Sequence, residues 1–322
     1  MANDVITATK VANRALQRIG AGRIAADALF TEDSKNAQEC AACYDILRRA
    51  ELRRNVWRFS VRRAPLRPVD TTTKNFLPSA WSAVTTYAVA DIVLFNGTWY
   101  SSLVATNLNN TPADDSTSWT KYFGPATATP WDATISYLIG EIVWITATAY
   151  LSLKNTNTDL TSVAASWLPL TGTISTFFIT YPGGVGPSKD NTTKNLYVLP
   201  QGYLREAPQS PKTGASFLGF PSYMPSNDWT FENNFFVTLD AGVIIFRFAA
   251  DITNAAEFDP LFVEGLGARM AEELCQPLTQ STEKKQDCKD DYKKVMGEAR
   301  LVNGIETGVT QPPLDDYIVT RI

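Results

Sequence analysis

The sequence of 322 residues contains no histidine and four cysteines. Histidine is the commonest general acid or base in enzymes, so its absence excludes Ser-His and Cys-His nucleophile pairs. Carboxylates and lysines remain as catalytic groups, but no paired-carboxylate motif is present. We therefore expect no catalytic residues, no metal and no cofactor.

The few cysteines leave two interpretations open. Cys40 and Cys43 stand in a CxxC spacing inside a helical pattern, and Cys275 and Cys288 follow in the C-terminal third. Without histidine, a zinc site would need thiolates alone. We favour the alternative that these cysteines are small apolar residues buried between helices, because no second CxxC follows.

Long apolar runs and a large charge of one sign are also missing. The net charge of -4 disfavours a general nucleic-acid-binding protein. No apolar run is long enough to span a bilayer. The first residues, from Met1 to Asp4, do not resemble the start of a signal peptide. We expect a protein made in the cytoplasm, without a membrane span.

Both ends of the chain carry helical patterns. The first helix is predicted to end at Gly20, and the second to begin at Asp33 or Ser34 and end near Asn55. The alternation that follows predicts a strand, broken at a proline, with these residues: Trp57, Phe59, Val61 and Pro65.

The C-terminal third predicts a hairpin followed by two helices. Alternating and β-branched residues over Phe235–Phe248, with a turn at Asp240, indicate the hairpin. Asp259 and Pro260 suit the cap and first position of a helix that Pro277 would end. A second helix is predicted over residues 281–299.

An arginine cluster occupies residues 48–67, where Glu51 is the single acidic residue. Its members are Arg48, Arg49, Arg53, Arg54, Arg58, Arg62, Arg63 and Arg67. One interpretation is a surface that faces DNA phosphates or an acidic partner, for which Arg48, Arg49, Arg53 and Arg54 are the candidates. The other is a solvated helix face paired with the acidic C-terminal third.

The middle of the chain contains a tandem repeat with an offset of 50 residues. Trp81, Tyr87, Tyr100 and Asn107 recur as Trp131, Tyr137, Tyr150 and Asn157, and Asp91-Ile92-Val93 recurs as Glu141-Ile142-Val143. Trp119 matches Trp167 after a deletion of two residues. Two copies of one β-rich unit are therefore predicted.

The repeat resembles the small chitin- and cellulose-binding modules of secreted glycosidases. Copy one lacks the glycine expected before Asp91, and copy two lacks the turn glycine of Asn96-Gly97. Residues that both copies share are best explained as core, so rings unique to one copy are the candidates for stacking on a glycan: Trp99 and Trp144. The alternative is a small barrel used for protein contact.

The outer chain resembles the head-to-tail adaptor proteins of short-tailed bacteriophages, also called tail tubular protein A. The similar segments are Ile19-Gly20, Tyr44 to Leu52, Trp57 to Leu66, Tyr197 to Arg205, and Phe246 to Phe262. The resemblance implies a virion protein in the tail neck: a homo-oligomeric ring of about twelve copies between the portal and the tail nozzle. DNA passes through such a ring without sequence-specific binding.

Together these patterns predict an α+β fold with a helical bundle from the two chain ends, a small antiparallel sheet and two inserted all-β modules. The predicted domains are an adaptor core of residues 1–77 and 174–302, modules at 78–127 and 128–173, and an extended tail at 303–322. The modules are expected to bind cell-surface glycan or tail fibres. The alternative function is that of a secreted carbohydrate-binding protein associated with polysaccharide degradation.

The C-terminal tail is the predicted portal-docking element. Gly304 and Gly308 suit a flexible chain, Pro312 and Pro313 would stiffen it, and its end is apolar. The docking candidates are Tyr317, Ile318, Val319, Arg321 and Ile322. The alternative is that the tail packs on a neighbouring subunit of the ring.

Deletion of Tyr317–Ile322 is expected to abolish docking on the portal, because an extended apolar segment gains its contacts upon binding. Heads assembled with the truncated protein should lose the adaptor and leak DNA. Unchanged affinity of the truncated protein for isolated portal rings would contradict this assignment.

Overall fold

The computed structural model describes residues 5–69, 72–113, 116–176, 195–207 and 229–306. Over these residues the protein is a mixed α+β structure, as predicted, with four α-helices and several β-sheets. The chain divides into two compact units. Unit 1 takes the described residues up to Val61 and from Asn254 onward, and unit 2 takes Arg62–Thr253.

The helices all belong to unit 1. They are α1 (Ala8–Ile19), α2 (Lys35–Arg54), α3 (Pro260–Thr279) and α4 (Thr282–Glu306). Thr7 and Ser34 cap α1 and α2 by accepting from backbone N–H groups. Gly20 ends α1 in the left-handed conformation, with φ 75°. Asp259 caps α3 and Pro260 is its first residue, which confirms the predicted start.

Unit 1 is assembled around α3, which contacts each of the other three helices. Small residues allow this close approach: a Cβ atom at Gly265 would lie 2.6 Å from Cε of Met296 on α4. Trp57 and Phe262 meet edge to face, with ring centroids 5.0 Å apart. The helices near the two chain ends therefore share one core.

Three local predictions outside the repeat are wrong. Residues Arg58–Ser60 form a 3-10 helix rather than a strand, and Pro65 lies inside the strand that follows. Pro277 lies inside α3, because a proline in the last turn leaves most of the helical hydrogen bonds intact. The expected extended tail does not begin at residue 303, because α4 continues through Glu306 and includes Gly304.

The last turn of α4 is anchored by side chains. Asn303 donates from Nδ2 to the carbonyl of Val56 at 2.9 Å and accepts from the N–H of Arg58 at 2.9 Å. Glu306 forms an ion pair of 3.3 Å with Arg58. These contacts join the end of α4 to the segment after α2 and explain why the helix extends beyond its predicted end.

Seventeen strands are described, numbered here in chain order. They are β1 (Val61–Leu66), β2 (Lys74–Ala80), β3 (Thr86–Tyr87), β4 (Ile92–Phe95), β5 (Thr98–Ser102), β6 (Asn107–Leu108), β7 (Trp119–Lys121), β8 (Thr127–Pro130), β9 (Ile142–Ile145), β10 (Thr148–Ser152), β11 (Trp167–Pro169), β12 (Gly172–Thr176), β13 (Asn195–Val198), β14 (Tyr203–Glu206), β15 (Trp229–Glu232), β16 (Phe235–Thr238) and β17 (Ile244–Ala250).

The largest sheet has nine strands and contains both copies of the repeat. Its order is β11-β10-β9-β8-β2-β4-β5-β7, with β12 also paired to β2. Two three-stranded sheets, β1-β17-β14 and β13-β16-β15, and the pair β3-β6 complete the described strands.

The strand registers confirm the repeat. Ser79 pairs with Val93 in copy one, and Thr129 pairs with Val143 in copy two, both in parallel pairs. The antiparallel pair Val93–Tyr100 likewise corresponds to Val143–Tyr150. Each pair in copy two lies 50 residues after its counterpart, so the sequence offset reports a shared structure.

At two positions where the copies differ in sequence, the backbone conformation is nevertheless kept. Gly140 has φ 85°, and Ala90, at the equivalent position of copy one, has φ 70°. Asn96 and Gly97 both have positive φ and connect β4 to β5, as a two-residue hairpin turn requires. Copy two places Thr146 at φ 56° in the same turn. Ala90 and Thr146 thus accept strain that glycine avoids.

The sequence predicted two separate modules, at residues 78–127 and 128–173. The two copies instead share one sheet. Strand β2 pairs with β8 through Lys74–Ala128 and Asn75–Thr127, which joins the copies edge to edge. The aromatic core of copy one contains Trp119, and that of copy two contains Trp167. A third cluster, which includes Phe76, lies between the copies. Sequence periodicity reveals the copies but not the pairing between them.

The hairpin predicted over Phe235–Phe248 is also wrong. Strand β16 pairs with β15 and β13, whereas β17 pairs with β14 and β1 in a different sheet. The hairpin turn lies instead at Asn233, with φ 52°, between β15 and β16. These strands belong to unit 2, so the predicted core of residues 1–77 and 174–302 is divided between the two units.

Replacing Asn107 or Asn157 with alanine is expected to destabilise unit 2 by about 1–3 kcal/mol, and by similar amounts. Each amide is buried and donates to a serine hydroxyl at 3.0 Å and to a backbone carbonyl at 2.9 Å (Asn107) or 2.8 Å (Asn157). Urea unfolding measures the change. Thr106→Ala, at an exposed neighbouring position, is the control and should change stability by less than about 0.5 kcal/mol.

Candidate functional site

The glycan-stacking candidate Trp99 lies on β5 and is not the flat, exposed ring that was expected. It is half-buried against the cluster between the two copies. Its ring meets Phe76 edge to face at 6.0 Å and stacks on Tyr122 at 6.1 Å. Because β2 joins the copies, part of a ring that would be exposed in an isolated module is covered.

The remaining surface of Trp99 lines a pocket of about 390 Å³ within unit 2. Five separate parts of the chain supply its wall: residues 75–77 from β2, Trp99, Ala126, residues 198–203, and Asn234. This volume falls near the lower end of the range for small-molecule sites. Neither Asp, Glu, Lys nor Arg is among the described residues that line it.

Hydrogen bonds fix the loop that forms one wall of this pocket. The N–H of Leu199 donates to the carbonyl of Asn234 at 3.0 Å, and that of Tyr203 donates to Pro200 at 3.2 Å. The carbonyl of Gly202 accepts from Asp251 at 2.8 Å. Gly202 has φ 71°, and a Cβ there would lie 2.6 Å from the Phe123 ring. The wall is therefore preformed and needs glycine at this position.

The second candidate, Trp144, is also half-buried against the cluster between the copies. The ammonium group of Lys74 lies 4.0 Å from the centroid of its ring, in a cation–π contact. Its indole nitrogen is buried and has no hydrogen-bond partner among the described residues. The expected exposed ring is therefore wrong here too, because a lysine of β2 covers one face.

The four arginine candidates do not form one surface. Arg48 is buried and bonded to Asp45 of its own helix at 3.0 Å, so its assignment as a DNA-facing group is corrected. Arg49, Arg53 and Arg54 are exposed. Side chains at successive positions of a helix point in different directions, so residues that are close in the sequence do not all lie on one face.

Arg54 takes part in a network around a buried carboxylate. Glu51 accepts from Arg54 at 2.5 Å, from the Tyr292 hydroxyl at 2.8 Å and from Arg300 at 3.4 Å. Burial, and then the charge of Glu51, raises the pKa of Tyr292. Arg54 and Arg300 supply the opposite charges that a buried carboxylate needs. This network joins α2 to α4 and gives Arg54 a structural role.

The portal-docking candidates, Tyr317, Ile318, Val319, Arg321 and Ile322, lie outside the described residues. Their assignment stays a prediction. The described chain ends at Glu306 in α4. None of the four described helices combines the length and apolarity that a membrane crossing requires.

The cysteines behave as the packing interpretation predicts. Cys40, Cys275 and Cys288 are buried, and Cys43 is half-buried. Burial raises the pKa of Cys40 to about 12 and the pKa of Cys43 and of Cys288 to about 11. Within the described ranges, no group of three His, Cys, Asp or Glu residues is placed to hold a metal ion. The thiols of Cys40, Cys43 and Cys288 are therefore poor nucleophiles at neutral pH.

Sequence reasoning identified Trp99 but missed the amide residues that share its pocket: Asn75, Gln201 and Asn234. They come from distant parts of the chain and form no motif. Gln201 and Asn234 lie outside the repeat, so comparison of the two copies gives no signal for them. Only the meeting of the loop at residues 198–203 with the repeat reveals the site.

The cysteines are expected to resist a thiol reagent in the folded protein. With a pKa of about 11, roughly one thiol in a thousand is ionised at pH 8 for Cys43 and Cys288, and fewer for Cys40. Labelling with a chromogenic disulfide should therefore be slow before unfolding, whereas all four thiols should react in guanidinium. Rapid labelling of Cys43 in the folded protein would contradict the assignment.

No protein-family model matches the chain, and the comparison with curated proteins found no match either. These comparisons assign neither a family nor a ligand.

Proposed function

We propose that the protein is a structural virion protein, a ring adaptor between the portal and the tail nozzle of a short-tailed phage. The proposed ring contains about twelve copies, and DNA passes through its lumen without sequence-specific contacts. The protein catalyses no reaction in this proposal. Its role is to match one protein surface on each side and to carry inserted β-units that contact glycan or tail fibres.

The observation that carries the proposal is the packing of helices from the N-terminal and C-terminal parts of the chain within one unit. Helices α1 and α3 are separated by 240 residues in sequence, yet they pack together in unit 1. Arg14 and Arg18 of α1 both bind Glu264 of α3, at 2.9 and 2.7 Å. This packing supports an adaptor core that carries a large insertion between its helices.

The last turns of α4 supply a surface for a neighbouring subunit. Leu301 is 66% exposed and Ile305 is 72% exposed, and the two lie on one helix face, with Val302 beside them. Asn303 holds the opposite side of this helix to Val56, so the apolar face stays directed away from the core of unit 1. We assign this face to contact with a second copy of the chain, as a closed ring requires.

The alternative of a secreted carbohydrate-binding protein receives less support. A protein of that kind would bind glycan with exposed aromatic rings on independent modules. The two copies share one sheet, and both candidate rings pack against the cluster between them. We therefore propose glycan binding as a secondary activity of one pocket within the adaptor.

The ring is tested with the full chain by native mass spectrometry and negative-stain electron microscopy over a range of concentrations. Closed rings of about twelve copies are expected. Leu301→Glu combined with Ile305→Glu should reduce the assembled fraction at least about tenfold, because each subunit contact would then bury unpaired carboxylates.

Leu160→Glu is the matched control, because Leu160 is 60% exposed but lies in the repeat. It should leave assembly unchanged. All three substitutions are at exposed positions, so the thermal midpoint should stay close to that of the original protein. A chain that stays monomeric at every concentration and degrades a polysaccharide would contradict the adaptor proposal.

A further inference from the structure

We propose that the pocket around Trp99 binds a short neutral saccharide, one or two sugar residues long. The inference adds a ligand class and a location to the glycan-binding part of the proposed function, on which it rests. Ring assembly does not depend on it. The site combines a copy-one side chain with two segments from outside the repeat, the loop at residues 198–203 and Asn234.

The chemistry of the wall favours a neutral ligand. The described lining contains no acidic or basic side chain, so nothing there balances a phosphate, a carboxylate or an ammonium group. A nucleotide or a charged peptide would have to leave its charge unpaired inside the pocket. A neutral molecule avoids that cost.

The polar groups favour a ligand rich in hydroxyls. Asn75, Gln201 and Asn234 each bring an amide, which both donates and accepts hydrogen bonds, as a sugar hydroxyl does. The Oε1 atom of Gln201 is buried and has no hydrogen-bond partner among the described residues. Its amide nitrogen makes a long contact of 3.5 Å with the carbonyl of Gly97. A rotation of the half-buried Gln201 side chain would let this acceptor bind a ligand hydroxyl.

The aromatic part of the wall suits the apolar face of a sugar ring. Trp99 and Tyr203 both line the pocket. Trp99 is held in orientation by Phe76 on one side and by stacking on Tyr122. Aromatic rings provide a rigid apolar contact for sugar C–H groups, while amides bind the hydroxyls around the ring edge.

The size and rigidity of the pocket limit the length of the ligand. A volume of about 390 Å³ admits a mono- or disaccharide unit and is too small to hold several residues of a long polymer. The loop at residues 198–203 is already fixed by backbone hydrogen bonds, so binding does not require it to be ordered first.

The test is calorimetric titration of the full chain with four neutral disaccharides: maltose, cellobiose, lactose and diacetylchitobiose. At least one should bind with a millimolar or tighter Kd and change tryptophan fluorescence. Gln201→Leu removes the unpaired acceptor and keeps a similar volume, so it should weaken binding about tenfold without loss of thermal stability. Trp99→Phe should also weaken binding by reducing the stacked area.

Gln286→Leu is the matched control, because Gln286 is an exposed residue of α4 in unit 1. It should leave the Kd unchanged. The proposal is overturned when none of the four disaccharides binds, or when the Kd is the same in the original protein and in both pocket variants. If Gln201→Leu does not fold, Trp99→Phe decides. Ring formation by native mass spectrometry is measured in parallel, so loss of sugar binding with intact rings refutes the pocket alone.

Discussion

The pairing of β2 with β8 is the constraint on which the arrangement of unit 2 depends. It is short, with registers at Lys74–Ala128 and Asn75–Thr127, but it converts two four-stranded repeats into one sheet. Once the copies are joined, apolar side chains from both form a shared cluster. The same pairing draws Trp99 and Trp144 inward, because each lies at the junction rather than on a free face.

The consequence for function is that the repeat presents a pocket in place of an aromatic surface. A repeat of small binding modules would usually offer two equivalent ligand sites. Here Lys74 covers one face of Trp144, whereas Trp99 lines a preformed pocket with residues from beyond the repeat. The two copies have therefore kept one fold while their junctional residues acquired different surroundings.

Within unit 1, the contact between α2 and α4 depends on a different kind of interaction, a buried carboxylate surrounded by donors. Glu51 is 1% exposed and binds two arginines and a tyrosine hydroxyl, two of these three from α4. A buried charge of this kind is costly unless its partners are placed well, so it specifies how α2 and α4 meet. The arginine-rich segment thus contributes to the helical core as well as to the surface.

Local features of this protein could be predicted from the sequence: the helix start at Asp259, the start of α2 to within one residue (Asp33 or Ser34), the end of α1 at Gly20, the Asn96-Gly97 turn, and the two copies of the repeat. These features depend on backbone conformation and on side-chain periodicity, which neighbouring residues fix. The partners of β16 and β17, the burial of Arg48 and the amides of the pocket became clear from the packed fold alone. Each of those features depends on contacts between segments that are distant in the chain. Local sequence patterns do not indicate which segments pack together.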